Sequence, residues 1–340
     1  MARGPRKPRW SSNWLSTWSR ASIALACAGA VLVLALLGIT FSSPQNRSVP
    51  TTHLRIATGN MSGVYYPLGQ ALARIYSDQL PDVRASAEAT AGIGYNVEAI
   101  ENGQADLAFT QDDIAYFAAK HGSSADPRPF QNVRAIAALF VNAVQIIVRR
   151  DGPVHRLVDL YGRHIGITAS TSGAKVLQLL LASEGLDGHV AVDSMSLADV
   201  ADRIRRGEID GAFVLSSYPV PVIAQLNAAV AIRLLPIDKH LAGRIRAEHP
   251  FFRPIVIPDG TYDGQGGDVP TIGVDNLLIC RAGLPDALVY RLTGVFIDSL
   301  PALASVNTAA ASIDLQQAPA TQVPLHPGAA WFYREREMFR

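Results

Sequence analysis

Asn102-Gly103-Gln104-Ala105-Asp106-Leu107-Ala108-Phe109 returns 104 residues later as Arg206-Gly207-Glu208-Ile209-Asp210-Gly211-Ala212-Phe213, with glycine, aspartate and phenylalanine in the same relative places. Each copy follows a helix-like stretch. In each, glycine can take the left-handed conformation that stops a helix, aspartate can cap the turn, and phenylalanine sits on a buried strand. The separation is far too long for a solenoid period, so the match reads either as chance agreement of three residues or as two lobes built alike.

The surroundings of both copies alternate short apolar strands with amphipathic helices, the pattern of α/β units whose sheet is covered by helices. Leu54–Ala57 is a strand. Leu68, Ala71, Leu72, Ile75 and Tyr76 recur at i, i+3, i+4, i+7 and i+8, which predicts a helix with one face on that sheet. Val83, Ala85 and Ala87 alternate with polar residues as a second strand, Val97 and Ile100 open a short helix, and Leu107–Thr110 is a third strand. Around the second copy, His164–Ile167 and Val190–Asp193 are strands. Ala174–Glu184 is a helix stopped by Gly185, and Leu197, Val200, Ala201 and Ile204 form the stripe of another that begins in a Ser196…Asp199 capping box. Ala135–Val148 and Thr271–Cys280 are the two long apolar stretches able to run between lobes as a two-segment hinge. Asp286–Leu300 and Ala302–Ala311 are helices returning to the first lobe. The expected division is 53–143 with 275–340 for lobe 1, and 144–274 for lobe 2.

Upstream, Ala21–Phe41 is uncharged for 21 residues, enough at about 1.5 Å per residue to span a hydrocarbon layer of about 30 Å. Arg3, Arg6, Lys7, Arg9 and Arg20 precede it with no acid, which predicts a cytoplasmic segment 1–20, a transmembrane signal anchor 21–41 and an exported remainder. Trp10, Trp14 and Trp18 share a helix face suited to the headgroup layer. Cleavage of this segment, giving a free periplasmic protein, is the alternative. Cys27 lies too early in the apolar run for a lipid-attachment site and reads as a packing residue. Residues 42–52 are polar and proline-containing, a linker.

The 340 residues are 49% apolar and 17% charged, with a net charge of +1. Because the first 20 carry five of the positive charges, the rest is net negative, which argues against a nucleic-acid partner. Two cysteines exclude a disulfide framework. No G-x-x-x-x-G-K-[ST], complete G-x-G-x-x-G, H-E-x-x-H or G-x-S-x-G occurs, and the eight histidines show no ligand spacing. Neither enzyme activity, a metal nor a cofactor is expected.

What remains is a set of small, polar loops, each after a strand and before a helix: Gly59–Pro67, Thr90–Asn96, Gln111–Asp113 and Thr168–Lys175. In open α/β sheets ligands settle beyond the carboxyl ends of strands, where free helix N–H groups hold a carboxylate or phosphate. Each loop alone reads more readily as ordinary turn chemistry. Of Tyr65 and Tyr66, one is expected to face the cleft. Asp112 and Asp113 are either dipole-complementing helix residues or ligand contacts. Lys175, a cation near a helix start, is either a second handle for an acidic ligand or a solvated side chain.

Leu54–Gly59 continuing to Gly63-Val64-Tyr65-Tyr66-Pro67-Leu68-Gly69, then Thr90…Asn96, Asn102–Asp112, and Pro324-Leu325-His326-Pro327-Gly328-Ala329 with Tyr333-Arg334-Glu335, resemble the TAXI family of TRAP-transporter solute receptors over about residues 53–335. The resemblance implies a two-lobed type II periplasmic-binding-protein fold joined by two crossing strands. It implies capture of a small organic anion or amino acid, glutamate-like or a keto acid, and delivery to a membrane permease of the TRAP type. The family's ligand residues fall on Asn60, Met61, Ser62, Tyr65, Tyr66, Thr90, Asn96, Gln111, Ser170, Thr171, Ser172 and Gly173, with Ser216 facing the cleft from the second lobe. Ile93-Gly94-Tyr95 and Ala169-Ser170-Thr171 depart from the family's smaller, glycine-richer loops, so the solute is expected to differ from glutamate. The runner-up reading is a ligand-sensing module of the same fold that signals to a membrane partner.

Overall fold

The computed structural model describes residues 51–61, 63–168 and 170–338, without the side chain of Thr171. The expected segments 1–20 and 21–41 and nearly all of the linker lie outside them. Among the described residues no single helix is long and apolar enough to cross a membrane.

The amino-terminal strands are β1 (Thr52–Ala57), β2 (Val83–Glu88) and β3 (Leu107–Gln111), separated by α1 (Tyr65–Gln79) and α2 (Ile93–Glu101). They pair in parallel in the order β2-β1-β3. A second triplet repeats this plan with β5 (His164–Thr168), α4 (Thr171–Ser183), β6 (Ala191–Met195), α5 (Leu197–Arg206) and β7 (Gly211–Ser216), again parallel and in the order β6-β5-β7. Helix α3 (Asp112–His121) follows β3. Between the triplets run two long antiparallel neighbours, β4 (Val133–Arg149) and β10 (Val269–Arg281), which contain the two apolar stretches expected to cross. The result is one mixed ten-stranded sheet, with β8 (Ile232–Leu234) on β4 and β9 (Phe252–Ile257) on β10.

Each half has its own apolar interior. Leu54, Leu72, Phe109, Ile136, Phe140 and Leu278 belong to one core, whereas Val144, Ile146, Val148, Phe213, Ile272 and Val274 belong to another. Both crossing strands therefore change cores over a few residues, at 141–143 and 275–276. Helix α3 follows the first triplet in sequence, yet its Tyr116 and Phe117 pack on the second core. Phe251 meets both rings edge-on at 5.4 Å.

Between β7 and β10 stand α6 (Pro221–Ala229) and α7 (Lys239–Glu248). The chain closes with α8 (Asp286–Asp298), α9 (Leu300–Val306), a 3-10 turn at Thr308–Ser312, and α10 (Pro327–Glu335). The expected helix 302–311 is thus two pieces, parted at Asn307, whose side chain accepts the Ala309 N–H. The Pro324–Ala329 motif is structural. Ala135 on β4 donates to Pro324 and accepts from His326, fixing the entry to α10. His326 caps that helix by accepting the Gly328 N–H, and a Cβ at Gly328 would lie 2.1 Å from the Asp286 carbonyl oxygen.

Candidate functional site

A cavity of about 830 Å³ opens where the carboxyl ends of both triplets meet. Gly59, Asn60, Gly63, Val64, Tyr65 and the start of α2 line it from one side, and Thr168, Ser170 and Ala174 with the ends of β6 and β7 from the other. Phe140 and Asn142 of β4 and Asn276 of β10 form its floor.

The first turns of three helices face this space. Gly92, at φ 117°, turns the chain into α2, and Ser170 caps α4 by accepting the Gly173 N–H at 2.8 Å. Helix α1 begins at Tyr65 with no side-chain cap. None of these helices carries an acidic residue in its first turn. Each thus leaves its first turn without an acidic partner on the same helix and presents the positive end of its dipole. Helix α3 contrasts with them, because its own first turn holds Asp112 and Asp113. Among the described residues, the cavity lining includes no Asp, Glu, Lys, Arg or His. A negative guest would be held here by backbone N–H, amide and hydroxyl groups.

Of the two tyrosines, Tyr65 reaches the cavity. Its ring stacks on Phe109 at 5.3 Å and its hydroxyl donates to Asn276 Oδ1. Burial, and then the charge of Asp113, push this phenol far above its ordinary pKa, so it stays a neutral donor. Asn276 Nδ2 donates to the Phe140 carbonyl at 2.7 Å, and Asn142 Nδ2 lies 3.4 Å from Asn276 Oδ1. The β4–β10 register shifts between Asp275 and Leu277, a bulge of the kind that re-aims a side chain. Tyr66 accepts from Gln70 on its own helix and does not line the cavity.

The remaining expected residues divide in the same way. Asn60, Gln111, Ser170 and Ser216 line the cavity. Met61 is 68% exposed and outside the lining, Ser62 lies outside the described residues, and of Thr171 only the backbone is described. Thr90 and Asn96 act behind the wall rather than on it. Thr90 Oγ1 donates to Asn96 Oδ1, and the fully buried Asn96 Nδ2 donates to the carbonyls of Thr58 and Phe109, tying α2 to β1 and β3. Gly173 gives its N–H to the α4 cap. Ser172 faces away, donating to Asp113 Oδ2 at 2.6 Å. Lys175 stands outside the lining, with its ammonium 5.4 Å from the centre of the Phe117 ring, beside a separate cavity of about 690 Å³. Asp112 and Asp113 are buried helix-start residues off the lining. Burial lifts Asp113 to about 6, and burial with the neighbouring Asp275 lifts Asp112 to about 8.

Sequence reasoning missed the floor, Phe140, Asn142 and Asn276. The signal was present, since each asparagine interrupts one of the two apolar runs. Among the described residues no group of three His, Cys, Asp or Glu side chains is placed to hold a metal ion.

The described residues define an α/β protein built on one mixed sheet. Its likeness is to XAC2383 from Xanthomonas citri, solved bound to chloride ion (TM-score 0.50, 14% identity, 84% of this chain and 99% of that one) and bound to ATP (0.50, 15%, 85% and 100%). The aliphatic sulphonate binding protein SsuA from Escherichia coli matches less closely in shape, with TM-score 0.45, 18% identity and coverage of 85% of this chain and 94% of that one. By sequence the chain belongs to the NMT1-like family, whose profile matches residues 56–336. An adenylate kinase of Caulobacter sp. (strain K31) is 28% identical over 129 residues, 37% of this chain and 67% of that one. No G-x-x-x-x-G-K-[ST] phosphate loop occurs in this chain.

Proposed function

We propose that this protein is an extracytoplasmic solute receptor of the TAXI type that binds a small organic anion or amino acid, glutamate-like or a keto acid. The convergence of three acid-free helix starts on a cavity with no charged side chain carries this reading. Such an array favours a carboxylate through N–H groups and dipoles, and the cavity walls leave room for hydroxyl and amide contacts to the rest of the molecule. The two-lobe division is 53–143 with 275–340 against 144–274, and closure bends β4 and β10 where they change cores. Closure requires a solute that favours the closed state; equal affinity for both states would shift nothing. Asn60, Tyr65, Gln111, Ser170 and Ser216 are the proposed contacts, joined by Asn142. Residues 21–41 tether the receptor to the inner membrane with the remainder in the periplasm, and a TRAP-type permease takes the solute.

A thermal-shift panel on the full chain in mild detergent tests this reading, with dicarboxylates, keto acids, amino acids and an alkanesulfonate. At least one member is expected to raise the midpoint in a saturable way, and Ser170→Ala to reduce that shift. A panel without any response would refute the receptor reading.

A further inference from the structure

The hydrogen bond from Ser172 Oγ to Asp113 Oδ2 joins α4 of one triplet to α3, which follows the other, across 59 residues of sequence. Both side chains are fully buried. On α4, Ser170 and Ala174 are four residues apart and share the face that lines the cavity, while Ser172 points the other way. Gln111, two residues before Asp113, lines the opposite wall. One turn further along, Lys175 rests its ammonium on the Phe117 ring of α3. The bond therefore ties together the backbone segments that carry Ser170 and Gln111. Resting on the receptor reading above, we propose that Asp113 and Ser172 form a proton-strengthened latch that positions the two walls of the cleft against each other.

The sign follows from the surroundings of Asp113. Among the described residues its second oxygen, Oδ1, is buried without a hydrogen-bond partner. The titratable groups coupled to it are Asp112 on the same helix and Tyr65 of α1; Asp275 of β10, salt-bridged to Arg253 at 2.9 Å, acts on Asp112, and Lys175 of α4 stands over the Phe117 ring. Tyr65 is neutral, Arg253 is held by Asp275, and Lys175 lies over Phe117, so among the described residues no cation is salt-bridged to Asp113. Burial lifts its pKa to about 6, although the Ser172 bond pulls the other way. Opening the contact admits water to the carboxyl group and returns it toward its ordinary value near 4, so closure takes up a proton across that window. Asp112 faces Gln322 and Asp275, neither of which α4 supplies.

The test is the closed-to-open ratio of the full chain, read by electron spin–spin distances between labels at Asp78→Cys and Asp187→Cys. Both positions are exposed, one in each half. A Cys27→Ser background leaves only the fully buried Cys280. Lowering the pH from 7.5 to 5 is expected to raise the ratio about tenfold. Asp113→Asn, a neutral isostere, is expected to hold the high ratio at every pH. Ser172→Ala is expected to lower it and Ser172→Thr to restore it, which a merely structural serine would not require. A pH-independent wild type, or an Asp113→Asn protein that keeps the wild-type pH profile, would overturn the latch. These outcomes need no ligand, so they leave solute binding standing, and a silent solute panel would leave the latch standing.

Discussion

The two triplets share one plan yet differ at its centre. Gly103 and Gly207 both take positive φ, 68° and 74°, after a helix. Asp106 Oδ2 accepts the Arg55 N–H within β1 and Asp210 Oδ2 accepts the His164 N–H at the start of β5, each at 2.9 Å. Phe109 and Phe213 are both buried. The Gly–Asp–Phe match in the sequence is thus the same joint made twice, a helix stop followed by a carboxylate that fixes the register of two parallel strands. The difference lies in what each joint supports. Asp106 is nearly buried, with Arg281 at 3.0 Å and Arg55 at 3.7 Å, whereas the side chain of Asp210 keeps 30% of its exposure and has Arg163 at 3.4 Å. Phe109 carries Tyr65 and thereby the cavity wall, while Phe213 serves only its own core.

The largest expected effect separates the two phenylalanines. Phe109→Ala and Phe213→Ala should each cost about 3–5 kcal/mol in urea unfolding of the full chain in mild detergent. Only Phe109→Ala should also weaken solute binding at temperatures where both variants are folded, because Tyr65 loses its stacking partner. Equal binding losses would show that the halves do not divide the work as described.

A second contrast sets the acid-bearing start of α3 against the acid-free starts that face the cleft. The folded-state pKa of Asp113 lies above its unfolded value, so its contribution is fully present below about pH 4 and is lost as pH rises through about 6. Relative to Asp113→Asn, the wild-type chain should lose up to about 3 kcal/mol of stability between pH 4 and 7, measured as unfolding midpoints at each pH. A difference that stays constant with pH would contradict this account of the buried carboxyl group.

The paired aspartates come next. Asp106→Ala should destabilise by about 2–3 kcal/mol and Asp210→Ala by about 1 kcal/mol, because the first removes a buried carboxylate that accepts a strand N–H and pairs with the Arg281 and Arg55 guanidinium groups. The reverse order in the same unfolding assay would mean that exposure does not govern the two joints. Smallest of all, Gly103→Ala and Gly207→Ala should each cost about 1 kcal/mol, since both occupy left-handed backbone and a Cβ at either meets nothing closer than 3.9 Å.

Much of this architecture was legible because periodicity and turn chemistry act locally. The β1, β3, β5 and β7 strands are short apolar runs between turn signals, and both helix-stopping glycines adopt the expected conformation. The β8 and β9 strands were not legible: β8 has three residues, and β9 carries Pro254 in the middle of its run. The site was readable to the level of its loops but not of its side chains. The sequence pattern started α4 at Ala174, whereas Ser170 caps a helix that begins at Thr171. Three residues of offset is most of a turn, enough to confuse Ser172, which faces Asp113, with a cleft residue. Lys175 escaped the dipole conflict by reaching Phe117 on a helix whose packing no local pattern encodes. Asn142 and Asn276 become floor residues only because β4 and β10 are neighbours, a tertiary fact.

Isothermal titration of the full chain with the tightest-binding carboxylate from the panel and with its carboxamide, which has nearly the same shape but no charge, tests anion capture by the helix starts most directly. Helix starts that hold an anion predict at least a tenfold weaker carboxamide, with the gap unchanged in Lys175→Gln because that ammonium stands outside the cavity. Equal affinity for the charged and uncharged forms, or a gap that vanishes in Lys175→Gln, would contradict it.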